Sequence, residues 1–212
     1  MNDPIARTTV TYNQIATLYA EQFTAPPPSF AAFRERFAAT LPEGARVADL
    51  GCGPGRESAW FAERGLVPVG VDRSVEMARI AGGLGVSTVL GDLRQPPLGP
   101  ASVDGIWSAA ALVHVPVEQT LATLRAWHAV LRPGGVLGLT TALGDGEGWE
   151  PVPYKTEYER WFVNRDPETL LAALAEAGFE IGFQGSSVTH RTWFSVLATA
   201  RSSPLRQSPR RA

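Results

Sequence analysis

The chain has a single cysteine, Cys52, in 212 residues. One thiol excludes an intrachain disulfide and a cysteine-built zinc site within one chain, and it agrees with a reducing compartment. An excess of positive charge is missing too: 19 lysines and arginines against 21 acidic residues leave a formal net charge of −2. That balance gives no reason to expect nucleic acid or anionic lipid as a partner. No apolar run approaches the ~18 residues that span a bilayer. The start, Met1-Asn2-Asp3-Pro4, lacks the basic and apolar regions of a signal peptide. These absences lead us to expect a cytoplasmic protein with neither a membrane nor a nucleic-acid partner.

What is present is the composition of a folded domain, with 44% hydrophobic and 19% charged residues. The length fits one domain. From Thr8 to Phe23 the residues Tyr12, Ile15, Ala16, Leu18, Tyr19 and Phe23 recur at helical spacing, and Pro26, Pro27 and Pro28 stop the pattern. Ser29 is placed to N-cap a second helix carrying Phe30, Phe33, Phe37 and Leu41, ended by Pro42 and Gly44.

Strand-like and helix-like runs then alternate: strand 46–50, helix 57–64, strand 67–71, helix 75–82, strand 87–90, strand 103–108, helix 117–131 and strand 135–141. Such alternation predicts a parallel, doubly wound α/β sheet with helices on both faces. Asp166 and Pro167 open a helix that Gly178 closes. Runs 179–183 and 192–200, joined without a helix, predict a closing antiparallel hairpin. We therefore expect N-terminal helices over 1–44 covering the site, an α/β domain over 45–200 with an aromatic lid over 143–166, and a disordered tail over 201–212.

Asp49-Leu50-Gly51-Cys52-Gly53-Pro54-Gly55 puts three alternating glycines between a strand and a helix. Glycine there lets the backbone turn and approach a ligand, while the helix start offers free N–H groups and a positive dipole end. A dinucleotide loop wants its third glycine six positions from Gly51's start, where Arg56 stands instead. Val71-Asp72-Arg73 closes the second predicted strand and Gly91-Asp92-Leu93 follows the third. Leu131-Arg132-Pro133-Gly134-Gly135 joins the long helix to the fifth.

These four ordered motifs resemble those of the class I S-adenosylmethionine-dependent methyltransferases, in the small methyltransferase-11/25-like branch. The resemblance implies a Rossmann-like, mostly parallel seven-stranded sheet and S-adenosylmethionine as cofactor, leaving S-adenosylhomocysteine as product. It implies that Asp49 approaches the methionine amino group and that Gly51, Gly53 and Gly55 form the loop. Asp72, with Arg73 beside it, would take the ribose hydroxyls, and Asp92 and Leu93 the adenine. Ser108 would border the sulfonium, and Tyr12 and Tyr19 would contact the methionine end.

His114, after the fourth predicted strand, is the candidate general base, a histidine able to take a proton from an attacking hydroxyl or amine. Trp149, Tyr154, Tyr158, Trp161 and Phe162 of the lid suit a pocket for a ring-bearing acceptor. No metal is expected, since no acidic or amide cluster stands beyond the cofactor aspartates. The expected activity is methyl transfer to an oxygen or nitrogen of a small molecule by a monomer or homodimer. A protein or peptide acceptor, or a cofactor binder that transfers no methyl, is the alternative.

Overall fold

The computed structural model describes residues 3–22 and 25–201. β1 (Arg46–Leu50) is buried from its second residue onward, as a central strand packed on both faces must be. It pairs in parallel with β2 (Val67–Asp72) and β4 (Val103–Ala109). β3 (Thr88–Leu90) pairs with β2, and β5 (Leu131–Ala142) with β4. The hairpin β8 (Phe179–Val188) and β9 (Thr192–Ala200) inserts antiparallel, giving the order β3-β2-β1-β4-β5-β9-β8. This is the expected seven-stranded sheet, with helices packed on both faces.

One face is closed by α5 (Thr120–Val130) and α6 (Pro167–Glu176), whose Leu124, Trp127, Leu170 and Leu174 join Ile106 and Leu139 of the sheet. The other is closed by α2 (Pro28–Ala38) and α3 (Arg56–Ala62), where Phe33, Phe37 and Phe61 surround Trp107. α1 (Pro4–Gln22) and α4 (Val75–Gly83) pack on one another beside β2. Among the described residues no helix is long and apolar enough to cross a membrane.

Several boundaries differ from the sequence pattern. α1 starts at Pro4 rather than Thr8, because Asp3 Oδ1 accepts the Ile5 N–H and caps the first turn. Its predicted end at Phe23 lies outside the described residues. Pro27 rather than Ser29 precedes α2, with Pro28 at the first helical position, and the helix stops at Ala38 before Leu41. α3 starts one residue early and ends at Ala62, two residues short of the expected Arg64, and a 3₁₀ turn over 117–119 precedes α5.

The loop expected at 185–190 is mostly strand, because β8 continues to Val188. The segment expected as a lid is a two-stranded antiparallel ribbon, β6 (Glu147–Val152) with β7 (Lys155–Val163), in which Trp149 faces Trp161. Residues 202–212, expected as a disordered tail, lie outside the described residues.

The loop after β1 meets the turn after β4 closely. Gly51 has φ +77°, and a Cβ there would stand 2.3 Å from the Cβ of Ala111. Ala110, the residue before, is itself held left-handed at φ +52°, a conformation kept only when its surroundings over-determine it. Gly51→Ala therefore meets both backbone strain and overpacking, and is expected to lower stability by ~2–6 kcal/mol in urea unfolding. A loss below ~1 kcal/mol would show that the contact relaxes.

Candidate cofactor and acceptor site

The carboxyl ends of β1, β2, β3 and β4 and the inner side of α1 enclose a cleft of ≈ 700 Å³, part of it open to solvent. Doubly wound sheets bind ligands at this edge. Of the residues singled out from sequence, Tyr12, Tyr19, Gly51, Gly53, Asp72, Arg73, Asp92, Leu93 and His114 line it. Asp49, Gly55 and Ser108 do not. Asp49 is buried beneath the loop and accepts from the Ser58 hydroxyl at 2.7 Å. Gly55 (φ +81°) sits where α3 approaches Ala81 of α4, and Ser108 donates to the Leu50 carbonyl at 3.1 Å, tying β4 to β1.

Asp72 ends β2 with each carboxylate oxygen held by one backbone N–H: Gly53 to Oδ2 at 2.9 Å and Ser74 to Oδ1 at 2.8 Å. Burial pushes its pKa up while those N–H groups pull it down; the net shift is upward. Each oxygen retains acceptor capacity toward the cleft. Asp92 lines the cleft with its carboxylate already engaged by arginines. Arg94 binds both of its oxygens, and Arg73 adds a bond to Oδ2 at 3.0 Å. Burial raises the Asp92 pKa, but these arginines outweigh it and hold the carboxyl low. Asp3 joins the same network through Arg94 at 3.0 Å and Arg73 at 3.5 Å, latching the start of α1 to the cleft rim.

Further bonds fix α1 across the cleft. Asn13 Oδ1 accepts from the Ser74 hydroxyl at 2.7 Å, and Arg56 donates to the carbonyls of Tyr19 and Ala20. On the far side the Thr11 hydroxyl donates to the Glu159 carbonyl at 2.6 Å, and Trp161 N–H donates to the Thr8 hydroxyl at 2.9 Å. The ribbon is thereby docked on the outer side of α1.

His114 lies in a 3₁₀ turn (Leu112–His114) after β4. Its Nδ1 is 2.7 Å from the Trp161 carbonyl, which can only accept, so the proton is on Nδ1. Nε2 then accepts from the Tyr12 hydroxyl at 2.9 Å. Burial, together with the charges of Arg160 and Arg165, lowers the imidazole pKa to about 3, so the ring is neutral at physiological pH. Arg165 donates to the Val115 carbonyl at 2.7 Å and steadies the turn.

Cys52 is buried, and that burial keeps its thiol protonated. His128 is packed against Phe179 away from the cleft. Among the described residues no group of three or more His, Cys, Asp or Glu is placed to hold a metal ion. Sequence reasoning missed Asp3, Asn13 and Arg94, because Asp3 meets Arg94, and Asn13 meets Ser74, only across long stretches of chain.

Asp49 holds its proton up to about pH 7, because burial disfavours the anion more than the Ser58 bond favours it. The unfolded chain releases that proton near pH ~4. The native state therefore binds more protons between those values, and stability falls as pH rises from about 4 to about 7. Asp49→Asn abolishes this term. In thermal melts of the ligand-free protein the variant gains on the wild type by ~1 kcal/mol or more between pH 5 and pH 8. A gap that is constant with pH would contradict the raised value.

Residues 47–135 match the family model of a methyltransferase domain. A malonyl-(acyl-carrier protein) O-methyltransferase of Enterobacter lignolyticus is 32% identical over 74% of this chain and 63% of its own length. A trans-aconitate 2-methyltransferase of Azoarcus sp. is 41% identical over 47% of this chain and 40% of its own. The chain thus spans at most about two thirds of these curated relatives. The crystal structure of Burkholderia thailandensis 1,6-didemethyltoxoflavin-N1-methyltransferase superposes with a TM-score of 0.73 at 20% identity, covering 95% of this chain and 92% of that one. Glycine loop, acidic strand ends, strand order and sequence match agree: residues 47–135 carry a methyltransferase domain, on the fold of solved S-adenosylmethionine-dependent methyltransferases.

Proposed function

We propose that the chain binds S-adenosylmethionine along the cleft and transfers its methyl group to a small molecule, with oxygen favoured over nitrogen as acceptor atom. The observation that carries this reading is Asp72, held at the end of β2 by Gly53 N–H and Ser74 N–H and lining the same cleft as the glycine loop. A carboxylate so fixed accepts from two adjacent ribose hydroxyls at once, and its orientation needs no adjustment on binding. Gly53 leaves the loop open toward Tyr19, whose Cε1 stands 4.0 Å from where a Cβ would project.

The apolar side chains of Ile5, Met77 and Leu93 offer walls for an adenine, and Arg73 and Arg94 hold the Asp92–Leu93 turn beneath it. An ammonium bound above the loop would draw the proton from the buried Asp49 and make it a counter-charge. Bound, the cofactor supplies an electrophilic methyl on a positively charged sulfur, and the chain's task becomes alignment and exclusion of water. Tyr12 and His114 would border the methyl end. With its Nδ1 proton committed to Trp161 and Nε2 to Tyr12, His114 serves here by fixing the Tyr12 hydroxyl. Oxygen is favoured because the Enterobacter relative is by name an O-methyltransferase.

Calorimetric titration with S-adenosylmethionine, S-adenosylhomocysteine and NADH tests this reading. Both adenosyl ligands are expected to bind and NADH to give no heat. Asp72→Ala, which removes two charge-assisted bonds to the ribose, should weaken the adenosyl ligands ~100-fold or more. Binding of NADH in their place, or an Asp72→Ala protein that binds as the wild type does, would overturn it.

A further inference from the structure

Asp72 and Asp92 both line the cleft, but they have unequal capacity left for a ligand. Asp72 accepts one backbone N–H on each oxygen, from Gly53 and Ser74. Asp92 accepts the Arg94 backbone N–H at 2.9 Å, Arg94 Nε at 3.1 and 3.0 Å, Arg94 Nη2 at 2.6 Å and Arg73 Nη1 at 3.0 Å. An ionised carboxylate offers about four lone-pair sites, and these four N–H groups fill them.

The two arginines come from different places. Arg73 belongs to the cleft lining, whereas Arg94 reaches Asp92 from an adjoining recess lined by Gln95, Gln119 and Thr123. Other acceptors at this end are engaged as well. The Leu93 carbonyl takes the Trp127 indole N–H at 2.6 Å, the Gln119 amide oxygen takes Arg94 Nη1 at 2.8 Å, and Asp3 Oδ2 takes Arg94 Nη2 at 3.0 Å.

A neutral amine arriving here would have to displace a guanidinium from Asp92. Charge-assisted bonds are roughly twice as strong as neutral ones, so the guanidinium stays. The cleft is partly open to solvent, and an amine at its edge keeps its bonds to water instead.

We propose that the cleft takes the cofactor's purine without reading its exocyclic amine, and that Asp92 is a positioning residue rather than the amine's acceptor. This rests on the methyl-donor reading above, with the purine between Ile5, Met77 and Leu93. Asp92 holds Arg73 at the cleft wall and, through Arg94, holds Asp3 at the start of α1. The base is then selected by the shape of those walls. Nucleosides that lack the amine, or carry another small group in its place, belong to the same ligand class as the natural cofactor.

Calorimetric titration compares S-adenosylhomocysteine with its analogue bearing hydrogen in place of the amine, which keeps every ring nitrogen. The wild type is expected to bind the two within about threefold of one another, whereas an amine donating to a carboxylate would separate them ~10-fold or more. Asp92→Ala is expected to weaken both ligands by the same factor, since it loosens Arg73 and α1 without removing a bond to the amine. Arg94→Met empties sites on Asp92, and the ratio of the two affinities should then rise to about fivefold or more in favour of the amine. Each ratio is taken within one protein, so a general loss of affinity cancels.

A wild-type protein that prefers the amine ~10-fold or more overturns the proposal. So does an Asp92→Ala substitution that weakens S-adenosylhomocysteine alone, or an Arg94→Met protein that still binds both ligands equally. Each of these leaves the methyl-donor reading standing, whereas a wild-type protein that binds neither nucleoside overturns that reading itself.

Discussion

The hydrogen bond from Gly53 N–H to Asp72 Oδ2 joins the loop after β1 to the end of β2, and the cleft depends on that junction. The loop can reach the carboxylate because Gly51 and Gly53 take left-handed backbone angles. Gly51 in turn lets the turn after β4 close to van der Waals contact. Three strand ends are thereby locked into one rim without a large side chain in the way. On the same rim, Trp127 of α5 donates to the Leu93 carbonyl at 2.6 Å, so the β3 end is anchored from the core. A ligand arriving there meets groups whose orientation the fold has already fixed.

Over this rim lie two elements with little apolar attachment of their own. α1 buries Ile5, Ile15 and Ala16, but its position is set largely by polar bonds, to the Asp92 and Ser74 loops on one side and to the ribbon on the other. The ribbon presents two different faces. Trp149 and Trp161 pair on one, with Arg7 stacked 3.9 Å over Trp149, while Arg160 and Phe162 are buried on the other. The aromatic content of this segment therefore divides between packing onto α1 and packing behind the cleft residues His114 and Tyr19. Charge is divided in a similar way. At the Asp92 end of the cleft carboxylates and arginines are matched, and at the other end stands the neutral imidazole of His114.

The sheet was legible because its signals are local. The apolar runs of β1, β2 and β4 and the turn residues between them specify strands without knowledge of the partner, and Asp166-Pro167 caps α6 as its sequence suggests, with Asp166 Oδ1 accepting from Thr169 N–H at 2.8 Å. The glycine loop and Asp72 were legible for the same reason. The ribbon was not, since Glu147–Val163 is rich in charge and proline and its strands are defined by pairing with one another over a register shift at Pro151 and Val152. Asp92 and His114 show the opposite limit: their positions were foreseen, but their partners, Arg73 and Arg94 for one and Tyr12 and the Trp161 carbonyl for the other, change what they are free to do.

A crystal structure of the protein with S-adenosylhomocysteine tests the account most directly. The ribose is expected on Asp72, the adenine between Ile5, Met77 and Leu93, and the sulfur facing Tyr12 and His114. A nucleoside bound in the reverse direction, with its adenine between Tyr12 and Tyr19, or bound away from Asp72, would contradict it.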